Sequence, residues 1–84
     1  SGPEIIIYEP INGSTATSSL VKVVGKALRI QNIYMNGKPL LIDQEGNFNN
    51  TLLLYPGYNI SLFSAEDRFK RKVEYKLELL YENN

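Results

Sequence analysis

The chain lacks the residue types that most often carry redox, metal and acid–base chemistry. Its 84 residues include no cysteine and no histidine. Without cysteine there is no disulfide framework and no thiolate metal site. The absence of cysteine does not determine the cellular compartment of the protein. Without histidine the chain also lacks the commonest general base and the commonest metal ligand. No nucleophile–base pair or phosphate-binding loop is visible either, so we expect no enzyme, no catalytic residue, no metal and no cofactor.

Excess charge and long apolar runs are absent too. Nine basic and nine acidic residues give a formal net charge of zero, which offers no basic field to nucleic acid or anionic lipid. No apolar run approaches the length that crosses a bilayer, so we expect no direct membrane insertion by this segment. A chain of 84 residues suffices for one small domain with a single core.

The first residues look foreign to the domain. Ser1 and Gly2 resemble the remnant of a protease-cleaved tag. We therefore predict one domain over residues 1–84, with residues 1–3 as tag remnant and linker, taken from a longer protein. No signal peptide begins the chain, so any targeting or anchoring segment is expected elsewhere in that longer protein.

Two turn signals of different kinds organise the middle of the chain. Asn36-Gly37 tolerates positive φ at both positions, which a type I′ hairpin turn requires. A second turn surrounds Gly46, which we place in the left-handed region. Between the two turns we predict a short apolar strand in which Leu40 and Ile42 share one face.

The rest of the chain reads as short strands separated by turns. Pro56-Gly57 fits the centre of a type II turn. Thr15–Ser19 is predicted to cross between sheets, and Lys26–Gln31 gives no clear assignment. In the last segment the alternation favours a strand over a helix, because no capping residue begins a helix there. The predicted strands cover residues 4–8, 20–25, 33–35, 48–55, 60–65 and 73–81.

About seven short strands with turns every eight to twelve residues is the pattern of a β-sandwich. The alternation along each strand then predicts which side chains face inward. We expect a core of Ile7, Val21, Val23, Ile33, Met35, Leu40, Ile42, Phe48, Leu52, Leu54, Phe63, Val73, Tyr75 and Leu77.

A series of short motifs resembles the bacterial immunoglobulin-like domains of the glucodextranase domain B-like family. The resemblance covers roughly Ile5 to Tyr81. The motifs are a Pro-x-x-Gly segment (Pro10, Gly13), a Val-x-Gly strand end (Val23, Gly25), an Asn-Gly hairpin (Asn36, Gly37), an Asp-x-x-Gly-x-Phe turn (Asp43, Gly46, Phe48), a Pro-Gly-x-Asn turn (Pro56, Gly57, Asn59) and an Ala-x-Asp segment (Ala65, Asp67).

The resemblance implies an all-β, immunoglobulin-like Greek-key β-sandwich of about seven short antiparallel strands. It also implies an extracellular or cell-surface location, tethered through a parent protein, in a spacer, adhesion or scaffold role. One departure concerns Lys70, where the family usually has glycine after the Asp-Arg-Phe triplet. If this position takes positive φ, lysine costs on the order of 1 kcal/mol there.

Acidic residues suggest two sites, and both have a simpler interpretation. Asp43, Glu45 and Asn47 faintly resemble a calcium loop, yet Phe48 stands where that pattern needs glycine. Glu66 and Asp67 could form an acid pair, but a loop tip offers no pocket and no raised pKa. We interpret both segments as turns, with Asp67 binding local backbone amides.

Tyrosine gives the one candidate contact surface. Tyr75 and Tyr81 belong to the inward face of the last strand, whereas Tyr55 and Tyr58 flank the Pro56-Gly57 turn. Tyrosine is enriched in contact surfaces, so Tyr55, Tyr58 and an outward Tyr34 form a candidate contact patch.

Three functions from different classes are therefore open. The first is a non-catalytic structural, spacer or adhesion module, expected to be a monomer. The second is an accessory carbohydrate-binding module. The third is a protein-interaction module that pairs through an edge strand, either Glu4–Tyr8 or the edge at Leu80. The partner would be an unidentified protein or polysaccharide, or none.

Overall fold

A computed structural model describes residues 1–83, and these residues form strands, turns and loops without a helix. The all-β prediction is therefore confirmed for this part of the chain. The eight strands are β1 (Glu4–Glu9), β2 (Thr15–Ala16), β3 (Leu20–Leu28), β4 (Asn32–Met35), β5 (Lys38–Pro39), β6 (Asn47–Leu53), β7 (Gly57–Glu66) and β8 (Lys72–Tyr81).

The strands form two sheets, an arrangement consistent with a β-sandwich. One sheet has the order β1-β3-β6 and the other the order β2-β8-β7-β4-β5. The neighbours are antiparallel except for β2 and β8, which are parallel. The expectation of antiparallel strands throughout was wrong at this pair. After β1 the chain crosses to the other sheet for β2 and returns for β3, as the small residues of the 15–19 segment allow.

The core lies where the inner faces of both sheets meet. Phe48 of β6 stacks on Phe63 of β7, with ring centroids 6.0 Å apart and an interplanar angle of 27°. Gly25 of β3 makes room for this contact, because a Cβ there would lie 2.5 Å from Phe48 Cζ and from the Ile6 carbonyl oxygen. The two phenylalanines thus join the sheets at the centre of the molecule.

The predicted core is largely confirmed. Val23, Ile33, Phe48, Leu54, Phe63 and Leu77 are buried. The other predicted members are partly buried and pack against this cluster: Ile7, Val21, Met35, Leu40, Ile42, Leu52, Val73 and Tyr75. Four buried apolar side chains were missing from the prediction, namely those of Ile5, Ala27, Ala65 and Leu79. Ala27 was missed because the strand β3 continues past Gly25.

One local prediction was confirmed and another was wrong. The last segment, for which the alternation favoured a strand over a helix, is the strand β8 at residues 72–81. The strand expected around Leu40 and Ile42 is absent, because β5 ends at Pro39. The Leu40 N–H still donates to the Ile33 carbonyl at 3.0 Å, and beyond this bond the chain crosses from one sheet to the other. Leu41, in the middle of this crossing, is 91% exposed.

Candidate functional site

The turn between β6 and β7 displays two tyrosines on a rigid frame. The Tyr55 N–H donates to Asn59 Oδ1 at 3.0 Å, and Asn59 Nδ2 donates to the carbonyl oxygens of Tyr55 (2.8 Å) and Gly57 (3.0 Å). Gly57 has φ 99°, the left-handed position that the Pro56-Gly57 turn requires. These bonds fix the backbone of the turn, and the side chains of Tyr55 and Tyr58 that it carries are 70% and 62% exposed.

Tyr34 lies away from these two tyrosines. It sits on β4 opposite Ser64 of β7 and is half-buried. Tyr58 is six residues before Ser64 on the same strand, which corresponds to about 20 Å at the usual rise per residue. The structure therefore brings Tyr55 and Tyr58 to one end of the five-stranded sheet and leaves Tyr34 near the other.

An exposed apolar strip continues from Tyr58 along the outer face of β7 and β8. Tyr58 lies opposite Leu80, and the next outward residues of β7 are Ile60 and Leu62. All four are exposed. Ile60 is paired with Glu78 and Leu62 with Lys76, so charged side chains border the strip. Sequence reasoning missed this strip, although strict alternation through residues 58–65 carries its signal.

Asn36 serves the β4–β5 hairpin. Asn36 and Gly37 have φ 51° and 81°, which suits a type I′ turn. The Asn36 side chain also reaches β7, where Oδ1 accepts a hydrogen bond from the Leu62 N–H at 2.8 Å. This amide oxygen is therefore already bound within the domain.

The Asp43 carboxylate is bound by the amides of its own turn. Its Oδ1 accepts from the N–H groups of Glu45 (2.9 Å) and Asn47 (2.8 Å), and its Oδ2 accepts from Asn47 Nδ2 at 3.2 Å. These hydrogen bonds, those from Asn47 first, hold the pKa of Asp43 below its ordinary value. Gly46 follows with φ 88°. The geometry is that of a closed turn, with the carboxylate oxygens directed at amides.

Asp67 is the corresponding residue of the β7–β8 turn, and it is only 6% exposed. Burial pushes its pKa upward, yet hydrogen bonds from Arg71 and from the Phe69 N–H outweigh burial and lower it. The Arg71 N–H (2.9 Å), Arg71 Nε (2.7 Å) and the Phe69 N–H (2.9 Å) are the donors. Glu66 has a different partner, Lys72, at 3.9 Å. The two acids therefore do not act as a pair.

A basic end surrounds this turn. The guanidinium groups of Arg68 and Arg71 lie 4.8 and 5.4 Å from the centre of the exposed Phe69 ring. An open hollow of about 530 Å³ adjoins them and also contacts Arg29. Arg29 Nε donates to the Gly2 carbonyl at 2.8 Å, and Arg71 Nη2 to the Ser1 carbonyl at 3.2 Å. The arginines of this hollow thus hold the first residues of the chain.

No protein-family model matches the chain, and a comparison with curated proteins finds no match. Among residues 1–83, no three acidic side chains are grouped so that they could hold a metal ion. The same residues contain no helix long and apolar enough to cross a membrane.

Proposed function

We propose that the protein is a non-catalytic spacer or adhesion module of a bacterial cell-surface or secreted protein. One observation carries the proposal: four of the polar side chains singled out in the sequence are bound to the domain's own backbone. Asp43, Asn59 and Asp67 each stabilise a turn, and Asn36 joins its hairpin to β7. Groups occupied in this way serve the fold and are not free to act on a substrate.

The strand order supports an immunoglobulin-like Greek-key topology as part of this proposal. In such sandwiches strands A, B, E and D form one sheet, and C, F and G the other. The observed orders β1-β3-β6 and β4-β7-β8 match the orders A-B-E and C-F-G, which supports this part of the proposal. The chain changes sheets between β3 and β4 and again between β6 and β7. The resemblance to the glucodextranase domain B-like family points the same way.

The shape of the domain suits a spacer. Ser1 contacts Arg71 beside the β7–β8 turn, whereas Tyr81 pairs with Gly57 at the far end of the same two strands. The domain extends 45 Å along its longest axis and 20 Å across. Chain segments joined at Ser1 and beyond Tyr81 would therefore be held apart by nearly the full length of the domain.

A second candidate function is weak carbohydrate binding, favoured by the exposed Tyr55 and Tyr58 on their rigid turn. A tyrosine side chain has only two χ angles, so ordering it against a ligand costs little entropy for the contact area that it offers. Tyr34 lies too far away to complete the same site, so this candidate rests on the two turn tyrosines.

Nitrogen–proton NMR spectra with and without soluble cell-wall and plant polysaccharides separate the two functions. A spacer gives a dispersed spectrum in which no polysaccharide moves a peak. Shifts confined to residues around Tyr55 and Tyr58, abolished in Y55A and kept in a Y34A control, would establish the carbohydrate-binding function instead.

A further inference from the structure

We propose that β6 is a docking edge for a second copy of this chain. Two domains would pair antiparallel through β6 about a two-fold axis at Thr51, joining their three-stranded sheets into one. This inference goes beyond the proposed spacer or adhesion function and does not depend on it.

The free backbone groups of β6 belong to alternate residues. The Leu54 N–H donates to the Ser19 carbonyl, so even-numbered residues of this strand direct their backbone groups toward β3. The odd-numbered residues Asn49, Thr51 and Leu53 direct theirs away from the sheet. β6 is the last strand of its sheet, and no intramolecular partner of these three backbones occurs within residues 1–83.

At both ends of this free stretch the backbone groups are already hydrogen-bonded within the domain. The Asn47 N–H donates to Asp43 Oδ1, and its carbonyl accepts from the Asp43 N–H. The Tyr55 N–H and carbonyl are both bound by the Asn59 amide. The available edge therefore spans three alternate residues with Thr51 in the middle.

This spacing makes the edge complementary to itself. A two-fold axis at Thr51 places Asn49 opposite Leu53 of the second copy, and Thr51 opposite its own counterpart. Each of these is a pair of the kind that exchanges both N–H···O bonds. An axis at Asn49 or Leu53 would bring Asn47 or Tyr55 into the pairing, where the groups are already bound. The register at Thr51 is the one that satisfies all three free residues, and it is isologous.

The other edges carry the features that block strand addition. β1 lies between Pro3 and Pro10 and has an irregular register between Ile7 and Glu9. β2 and β5 have two residues each. The free part of β8 bears the alternating charges of Lys72, Glu74 and Lys76. Such charges, prolines and short lengths protect sheet edges, and the Asn47–Leu53 strand has none of them.

Charge repulsion does not oppose the pairing. β6 carries no charged residue, and the nearest cation on its outer face is Lys22, opposite Thr51 on β3. Two Lys22 residues would stand three strand spacings apart, about 14 Å. This exceeds the Debye length of about 8 Å at physiological ionic strength, so solvent screens the repulsion.

A single cysteine tests the register directly, because the chain has none of its own. Opposed residues of a hydrogen-bonded pair have Cα atoms about 5.5 Å apart, within the range of a disulfide. Under mild oxidation we expect T51C to form a covalent dimer at least about tenfold faster than E74C, because pairing concentrates the thiols. Glu74 is a matched control on the free part of β8. Equal rates would overturn the proposed axis.

Sedimentation velocity tests the association without cysteine. One strand edge is small beside the roughly 1,000 Å² of a stable interface, so the series should run from about 10 µM to about 1 mM. We expect the native chain to shift toward dimer across this range and T51P to stay monomeric. Proline at 51 removes an N–H that the fold does not use.

Two further variants keep this test decisive. E74P makes the same change at another N–H that faces away from its partner strand, and it should dimerise like the native chain. T51K supplies a charge to the β6 edge without altering the backbone, and it should also stay monomeric. A native chain that remains monomeric at the highest concentration, or a T51K chain that dimerises normally, would contradict the proposal.

Discussion

Phe48 and Gly46 stand two positions apart, yet they stabilise the domain for different reasons. Phe48 fills the space between the sheets against Phe63. Gly46 contributes by having no side chain, since a Cβ there would overlap the Ala27 carbonyl oxygen. The Gly46 backbone is also hydrogen-bonded to the same residue, because its carbonyl accepts from the Ala27 N–H at 2.9 Å. One residue thus supplies volume, and the other supplies a close backbone approach.

Truncation of Phe48 should remove much of the stability of the domain. Phe48 is 3% exposed, so F48A loses buried apolar area and leaves a cavity. We expect the free energy of unfolding to fall by about 3 to 5 kcal/mol, measured by urea denaturation. I11A, at a position where the side chain is largely in solvent, is the control and should change little. A midpoint for F48A equal to that of the native chain would show that this core assignment is wrong.

Gly46 and Gly13 offer a matched pair of substitutions. Both have positive φ, 88° and 84°, but a Cβ at Gly13 meets no atom within 4 Å. G13A should therefore cost only the backbone strain, on the order of 1 kcal/mol. G46A should cost clearly more, because β3 and the turn must also move apart. Thermal melting of the two variants distinguishes these costs, and equal losses would mean that the Ala27 contact contributes nothing.

At the scale of elements, the turns are stabilised by carboxylates and amides that bind nearby backbone. Asp43 closes the turn before β6, and Asp67 closes the turn between β7 and β8. Lys70, in the second turn, has φ 67°, so lysine occupies the left-handed position where the resembling family has glycine. The hydrogen bonds of Asp67 offset the strain of this residue.

The lowered pKa values of Asp43 and Asp67 predict a loss of stability in acid. A carboxyl group whose pKa is lower in the folded state stabilises the fold at every pH above its unfolded value, about 3.9. That contribution disappears as the pH falls through the folded pKa. We expect the urea midpoint to be nearly constant between about pH 7 and 5 and to decrease below about pH 4.

The variant D67N tests the contribution of one of these turns. It should be less stable than the native chain at neutral pH and should lose less stability on acidification. I11A, at an exposed residue that does not titrate, should keep the native pH dependence. If the stability of D67N depended on pH in parallel with that of the native chain, the role given to Asp67 would be contradicted.

Elements with one face in the core were predictable, because burial imposes alternation on the sequence. β6 and β8 follow this rule. The end of β3 was not predictable, since Arg29 takes φ 54° there and arginine rarely signals a left-handed position. The two-residue strand β2 is too short to leave a pattern. Hydrophobic periodicity therefore shows which residues face inward more reliably than where a strand stops.

The candidate sites also differ in whether the sequence could predict them. Asp43, Asn59 and Asp67 bind partners within four residues of themselves, so local spacing was enough to assign them to turns. The patch that included Tyr34 required residues from different strands to meet. Their separation is set by sheet register, which local spacing does not encode. The free edge of β6 was missed for the same reason, because sheet order decides which strand is last.

At the scale of the whole molecule, the two sheets present different surfaces to solvent. The five-stranded sheet carries the apolar strip of Tyr58, Ile60, Leu62 and Leu80 on its outer face. The three-stranded sheet ends in the uncharged edge of β6. The strip and the edge belong to different sheets, so a partner bound to one of these surfaces would leave the other accessible.

The parallel pair of β2 and β8 has a mechanical consequence. Hydrogen bonds between backbone groups tie the segment around β2 to β8, among them Gly13 N–H to the Glu78 carbonyl, Leu80 N–H to the Ser14 carbonyl, and Glu82 N–H to the Ala16 carbonyl. Tension applied at Ser1 and beyond Tyr81 would pull the two strands along their axes in opposite directions. These bonds would then be loaded together, in shear.

Single-molecule pulling should reveal this clamp. We expect a higher rupture force for attachment at Ser1 and beyond Tyr81 than for attachment at Ser1 and Arg68, which share one end of the domain. Equal forces in the two geometries would mean that the β2–β8 pair bears no load. A module clamped in shear resists stretching and then yields in one step, which would let it act as a stiff link under flow.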